Sequence, residues 1–222
     1  MDVHPNIADS NLPASLFATR IFPRRPPPDK LESLDDLLGQ AEHYAEHSMR
    51  NIGRLPATLF LIGSDGPLMF MFDSLPDEKG RHDFATTARL MCIAHAATAC
   101  VMALEAWAKF AKPGEKFDET EPPSEAFDRQ EVVVLMGESH TGQKQKFLPI
   151  IRSDNGKFFG LGESNAPSMD EMKGRFAQLL PTKVPDEGIR LVAKAMLKVK
   201  GVGRVTQVPG GGVRRTTRHR LR

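Results

Sequence analysis

Between Arg81 and Lys112, apolar residues recur at steps of three and four: Leu90, Ile93, Ala97, Cys100, Val101, Leu104, Trp107, Ala108 and Ala111. That spacing gathers side chains on one face of a helix. Cys92, Ala96, Ala99 and Ala103 make a second face of small residues, and His95, Thr98, Met102, Glu105 and Lys109 fill the remaining stripe. A helix apolar around so much of its circumference is buried on more than one side. The pattern therefore predicts a long central helix over Arg81–Lys112. Its uncharged run, Leu90–Leu104, is 15 residues, short of the about 20 that a membrane span requires. On such a helix Glu105 reads as the i,i+4 partner of Lys109 and His95 as a core histidine, not as a catalytic pair. Cys92 and Cys100 would stand about 12 Å apart along the axis, beyond the about 7 Å that a disulfide bridges, so both read as packing residues.

The other elements follow in chain order. Leu31 to Arg54 predicts a helix with Leu34, Leu38, Ala41, Ala45, Met49 and Ile52 inward, Asp36, Gln40, His43, His47 and Arg50 outward, and Pro56 as its stop. Ala57–Ile62 and Leu68–Phe72 are apolar runs around Gly63-Ser64-Asp65-Gly66-Pro67, a hairpin signal. Glu131–Met136, Phe147–Ile151 and Lys157–Leu161 predict three more strands, the last two joined at Ser153-Asp154-Asn155-Gly156. Ser168 and Glu171 are spaced as a capping box for a short helix ahead of Pro181. Asp186 opens a last helix with Ile189, Val192, Ala193 and Met196 inward and a basic stripe of Arg190, Lys194 and Lys198.

Together these elements predict an α+β fold. A single, mainly antiparallel sheet of about five strands packs against the long central helix and the terminal helices. Over Leu31–Lys200 this order of elements resembles that of roadblock and profilin-like domains. The resemblance implies a binding or dimerising module more than an enzyme. Residues 31–200 form the predicted domain. Residues 1–30, with prolines at 5, 13, 23, 26, 27 and 28, read as a flexible arm, and residues 201–222 as a flexible tail. The acidic, proline-rich stretch from Lys112 to Gln130 reads as a long loop.

Charge sharpens the picture at one end. From Gly201 onward the chain carries Arg204, Arg214, Arg215, Arg218, Arg220 and Arg222 and no acidic residue; subtracting those six from the net +2 leaves residues 1–200 at −4. A basic tail on a mildly acidic body points to a polyanionic partner. Six arginines would give salt-sensitive, sequence-independent contact with nucleic acid, helped by Arg190, Lys194 and Lys198. One Trp and one Tyr are too few for a platform on which bases stack. Two cysteines outside any C-x-x-C motif, and no apolar leader, set the expectation of a cytoplasmic protein.

One motif carries chemistry on its face. His43-Tyr44-Ala45-Glu46-His47 matches H-x-x-E-H, the inverted zinc motif of the insulin-degrading class of peptidases. Histidines at i and i+4 share a helix face, where His43 and His47 can hold a metal and Glu46 can activate its water. That makes a metal-dependent hydrolase the alternative function. Because both histidines fall opposite the apolar stripe, they read first as a solvated face. Gly160-Leu161-Gly162 lacks the third glycine of a dinucleotide fingerprint, where Asn165 stands, and no phosphate loop, nucleophile elbow or paired C-x-x-C occurs. No cofactor is expected. Glu138, His140 and Glu163 lie near strand ends and read as loop polar residues. The leading expectation is a non-enzymatic module that binds a protein partner or itself.

Overall fold

Ser33 starts the first helix by a reciprocal cap. Its hydroxyl accepts the Asp36 amide at 3.1 Å, and the Asp36 carboxylate accepts the Ser33 amide at 2.9 Å. In this computed structural model, which describes residues 30–72, 77–110, 124–163, 175–202 and 206–207, helix α1 runs Leu34–Ile52. Gly53 ends it, at a φ of 79° that costs glycine no Cβ clash, three residues before the expected stop at Pro56. Its buried arc holds Leu37, Leu38, Gln40, Ala41, Ala45, Ser48 and Met49. Gln40 is thus inside, not outside, and Ile52 is 60% exposed. The arc is turned toward Leu37, Gln40 and Ser48, away from Leu34 and Ile52.

Strands β1 (Ala57–Gly63) and β2 (Gly66–Phe72) form the expected hairpin around Ser64-Asp65. Helix α2 then runs Glu78–Ala94, capped by the Asp77 carboxylate on the Gly80 amide at 2.7 Å. The long central helix is not there. The chain turns at His95–Thr98, and Ala99–Ala108 is strand β3. β3 lies between β1 and β4 with Ala99–Ala103 wholly buried. A strand covered on both faces shows no alternation of apolar and polar residues. Its apolar run therefore continued the helical count by coincidence.

No glycine or proline marks the corner. Ala96 takes a φ of 46°, the Ala97 amide reaches the Cys92 carbonyl at 2.8 Å, and the Ser64 amide reaches the His95 carbonyl at 2.8 Å. The β1–β2 turn thus buttresses the corner. A Cβ on Gly63 would lie 2.9 Å from the His95 carbonyl oxygen, so the close approach needs glycine there. The corner also overturns the 12 Å separation of the cysteines. Cys92 on α2 and Cys100 on β3 are buried neighbours with free thiols. The hydrogen bond that the Cys100 S–H gives to Cys92, then burial, pushes the Cys100 thiol well above its ordinary range.

Strands β4 (Gln130–Ser139), β5 (Gly142–Arg152) and β6 (Phe158–Leu161) follow as a meander. A two-residue strand β7 (Thr206–Gln207) pairs with β2. The sheet order is β6-β5-β4-β3-β1-β2-β7, every pairing antiparallel. It has seven strands where about five were expected, because β3 was hidden in the supposed helix and β7 lies in the basic tail. α1 covers one face, packing on Phe60, Val101, Ala103, Val133, Leu135 and Leu148. α2 and the last helix, α3 (Glu187–Val199), cover the other, over Leu59, Cys100, Met102, Val132 and Val134. Asp35–Lys144 (2.7 Å) and Glu42–Lys146 (3.0 Å) tie α1 to β5. Among the described residues no helix is long and apolar enough to cross a membrane.

Candidate functional site

The approach to α3 is held by two side chains from distant elements. The Arg89 guanidinium, on α2, donates to the carbonyls of Arg175 (2.8 Å), Ala177 (3.1 Å) and Gln178 (3.4 Å). Glu138, buried on β4, accepts the Leu179 and Leu180 amides through Oε2 at 2.8 and 3.2 Å, while its Oε1 is buried without a hydrogen-bond partner. Arg175 also pairs with Glu78 at the start of α2. Residues 175–180 are thereby clamped between the sheet and α2, and the chain leaves them at a fixed place. Asp186 then caps α3, accepting the Ile189 amide at 2.8 Å.

α3 buries only Ala193 and Leu197. Of the inward positions expected, Ala193 alone is inside. Ile189, Val192 and Met196 are 52%, 61% and 48% exposed, and Val199 is 89% exposed. A helix resting on one neighbour buries a narrow arc, and here that arc runs through Ala193, Leu197 and the Lys200–Asp83 pair at 3.7 Å. The wider apolar face is left open to solvent.

Between the end of α2 and α3 lies a cleft of about 290 Å³ lined by Met91, His95, Lys194, Leu197, Lys198, Gly201 and Val202. His95 Nδ1 is buried there without a hydrogen-bond partner. Burial, then the nearby Lys194 and Arg190 charges, hold its imidazole below the ordinary 6.5, with Asp65 opposing them. Lys194 and Lys198 stand exposed at the rim. Arg190 does not join them as a free cation. It pairs with Glu187 at 3.0 Å and donates to the Ser64 hydroxyl at 3.1 Å, pinning α3 to the β1–β2 turn. The cleft has cationic edges at Lys194 and Lys198 and an apolar floor at Met91, Leu197 and Val202.

The other sequence candidates fall elsewhere. His47 is exposed on α1 with Nδ1 3.2 Å from the Asn51 amide, Glu46 is held by Arg50 at 2.6 Å, and His43 is half-buried. Among the described residues no three His, Cys, Asp or Glu side chains converge as a metal site. Glu105 is not the helical partner of Lys109. It sits on β3 and accepts the Leu55 amide, and burial raises its carboxyl above the ordinary 4.5. His140 and Glu163 are exposed at the sheet's ends, and only Glu138 has a defined task. Arg204, Arg214, Arg215, Arg218, Arg220 and Arg222, the arm over 1–29, the Ser168–Glu171 box and residues 111–123 lie outside the described residues. The open face of α3 carried a signal that went unread: its apolar positions exceed what a helix packed on one side can bury. No family model, curated protein or solved structure matches this chain.

Proposed function

We propose that this chain is a non-enzymatic α/β module that binds a protein partner or itself, and that its basic C-terminal residues contact nucleic acid. Residues 31–200 act as one domain in this reading, in the cytoplasm, with the two free thiols in keeping with a reducing compartment. The observation that carries it is α3, which leaves an apolar face bare beside the exposed Lys194 and Lys198. A helix of this kind is a docking element, and the cleft behind it holds no catalytic constellation. Charge supports the nucleic-acid half. Residues 1–200 sum to −4 and repel phosphate at long range, so attraction comes from the six arginines beyond them, with help from Lys194 and Lys198.

Fluorescence anisotropy on duplex and single-stranded DNA across a salt series tests that half. The full chain is compared with a variant whose Arg204, Arg214, Arg215, Arg218, Arg220 and Arg222 are all changed to glutamine. The expected affinity is roughly micromolar or weaker at physiological salt, insensitive to base sequence and falling steeply with salt. The variant should lose most of it. Equal binding by both proteins would move the contact to the folded body, and no binding at low salt by either would end the nucleic-acid half.

A further inference from the structure

We infer that the cleft between the end of α2 and α3 binds a small aliphatic monocarboxylate, its head between Lys194 and Lys198 and its chain over Met91, Leu197 and Val202. This goes beyond the partner- and nucleic-acid-binding reading above, which assigns the cleft no ligand of its own.

The lining decides the body of the ligand. Met91, Leu197 and Val202 offer an aliphatic floor. Among the described residues the lining holds no Phe, Tyr or Trp ring on which a base could stack. It also holds no hydroxyl, amide or carboxylate side chain to take the hydroxyls of a sugar or the edge of a base. At about 290 Å³ the cleft lies at the lower end of the about 300–1,000 Å³ that ligand sites enclose. It has room for a short chain.

Charge decides the head. Lys194 and Lys198 stand one turn apart on α3, where like charges repel. Every acid of the two helices is engaged elsewhere: Glu78 with Arg175, Asp83 with Lys200 and Glu187 with Arg190. Among the described residues neither Lys194 nor Lys198 has an ion-pair partner. An anion between them relieves the repulsion and accepts charge-assisted hydrogen bonds from both. The head carries a single charge because the cleft opens at the C-terminal ends of both helices. Their carbonyls supply roughly half a negative charge each, and neither helix turns its N-terminal amides there to hold a phosphate. Two lysines, one carboxylate and two carbonyl ends come close to balance, which a doubly charged phosphate would overshoot. His95 lines the α2 side of the same space. Burial, then Lys194 and Arg190, depress its imidazole while Asp65 opposes them. A carboxylate in the cleft acts in the same sense as Asp65.

Sodium octanoate titrated into the full chain, followed by amide and histidine-ring NMR, is the test. Binding should be saturable at one site, with a dissociation constant of about 0.1–1 mM for a ligand of about ten non-hydrogen atoms. The largest shifts should fall at residues 91–95, 194–198 and 201–202, and the His95 ring should titrate at higher pH once the site is full. Octanamide has the body without the charge, and acetate the charge without the body. Each should bind about tenfold more weakly, and octyl phosphate no more tightly than octanoate. The double variant Lys194→Gln/Lys198→Gln, at exposed positions, should keep its melting temperature and lose about tenfold in affinity. Met196→Gln, on the open face of α3, should lose nothing. A response that never saturates, a double variant that binds as well as the native chain, or tighter binding of octyl phosphate would each overturn the proposal. So would shifts centred on residues 189, 192, 196 and 199, which would place the chain on the open face of α3 instead of in the cleft.

Discussion

Glu138 shows how much of this fold depends on single side chains that reach across the chain. One carboxylate oxygen takes two amides from Leu179 and Leu180 and so fixes the approach to α3. Glu138→Ala should leave the buried Leu179 amide and the half-buried Leu180 amide without an acceptor, at a cost of about 1–3 kcal/mol for the buried one. A urea titration reads this directly, and a loss under about 0.5 kcal/mol would show the clamp to be incidental. His95 makes a prediction of a different kind. Its folded pKa is depressed, by burial first and then by Lys194 and Arg190 against Asp65, so the unfolded chain binds the proton more readily. Its contribution is present above the ordinary 6.5 and is lost as pH falls through the lower folded value. Melting temperature followed from pH 7.5 to 5 should drop more steeply in the native protein than in His95→Asn. Position in the sequence put Glu138 near a strand end but read it as a loop residue, whereas it is buried on β4; His95, read as a core histidine of a long helix, is half-buried at the corner with Nδ1 unpartnered. The surroundings were not legible, because the amides that engage Glu138 lie 41 residues or more away and the charges that bear on His95 come from α3 (Lys194, Arg190) and the β1–β2 turn (Asp65).

Among the elements, those with local punctuation were readable and those without were not. The Asp65-Gly66 hairpin, the Asn155-Gly156 turn and the Asp186 cap each announce a boundary within a few residues, and each boundary is real; the Ser33 cap does so too, although the first helix was expected from Leu31. The corner at His95–Thr98 has no such mark. Its left-handed residue is an alanine, and contacts with the β1–β2 turn hold it in place of local propensity. The end of α2, Leu90–Ala94, and the start of β3, Ala99–Leu104, carry no charge, so periodicity ran across the break. α3 failed in the opposite sense. Its limits were read correctly and its orientation was not, since an apolar face facing water looks the same in sequence as one facing a core. With only Ala193 and Leu197 buried, α3 should be the least protected helix. Amides of residues 191–199 should exchange with deuterium sooner than those of residues 38–49 in α1, which seven buried residues hold to the sheet. Equal protection in dilute solution would mean that α3 is anchored by more than its visible contacts.

At the scale of the molecule, the class was legible and the wiring was not. An α+β layering follows from counting elements and asking what covers each apolar face. The neighbour relations do not follow. β2 and β3 run the same way on either side of β1, with α2 as the crossover between them, and nothing short-range specifies that β3 should enter there. The way the sheet ends has a consequence for how the protein ages in solution. β6 is four residues long and β7 two, and the stretch of β5 that β6 leaves uncovered carries Lys144, Lys146 and Pro149. Along β5, lysines and a proline without an amide hydrogen deny a template to an incoming strand, whereas β7 pairs with Leu68 and Met69 of β2 alone. The long, apolar β1, β3 and β4 are just the segments that would seed a cross-β fibre if they met solvent. They are kept from doing so by their place in the middle of the sheet, so their path to amyloid leads through unfolding.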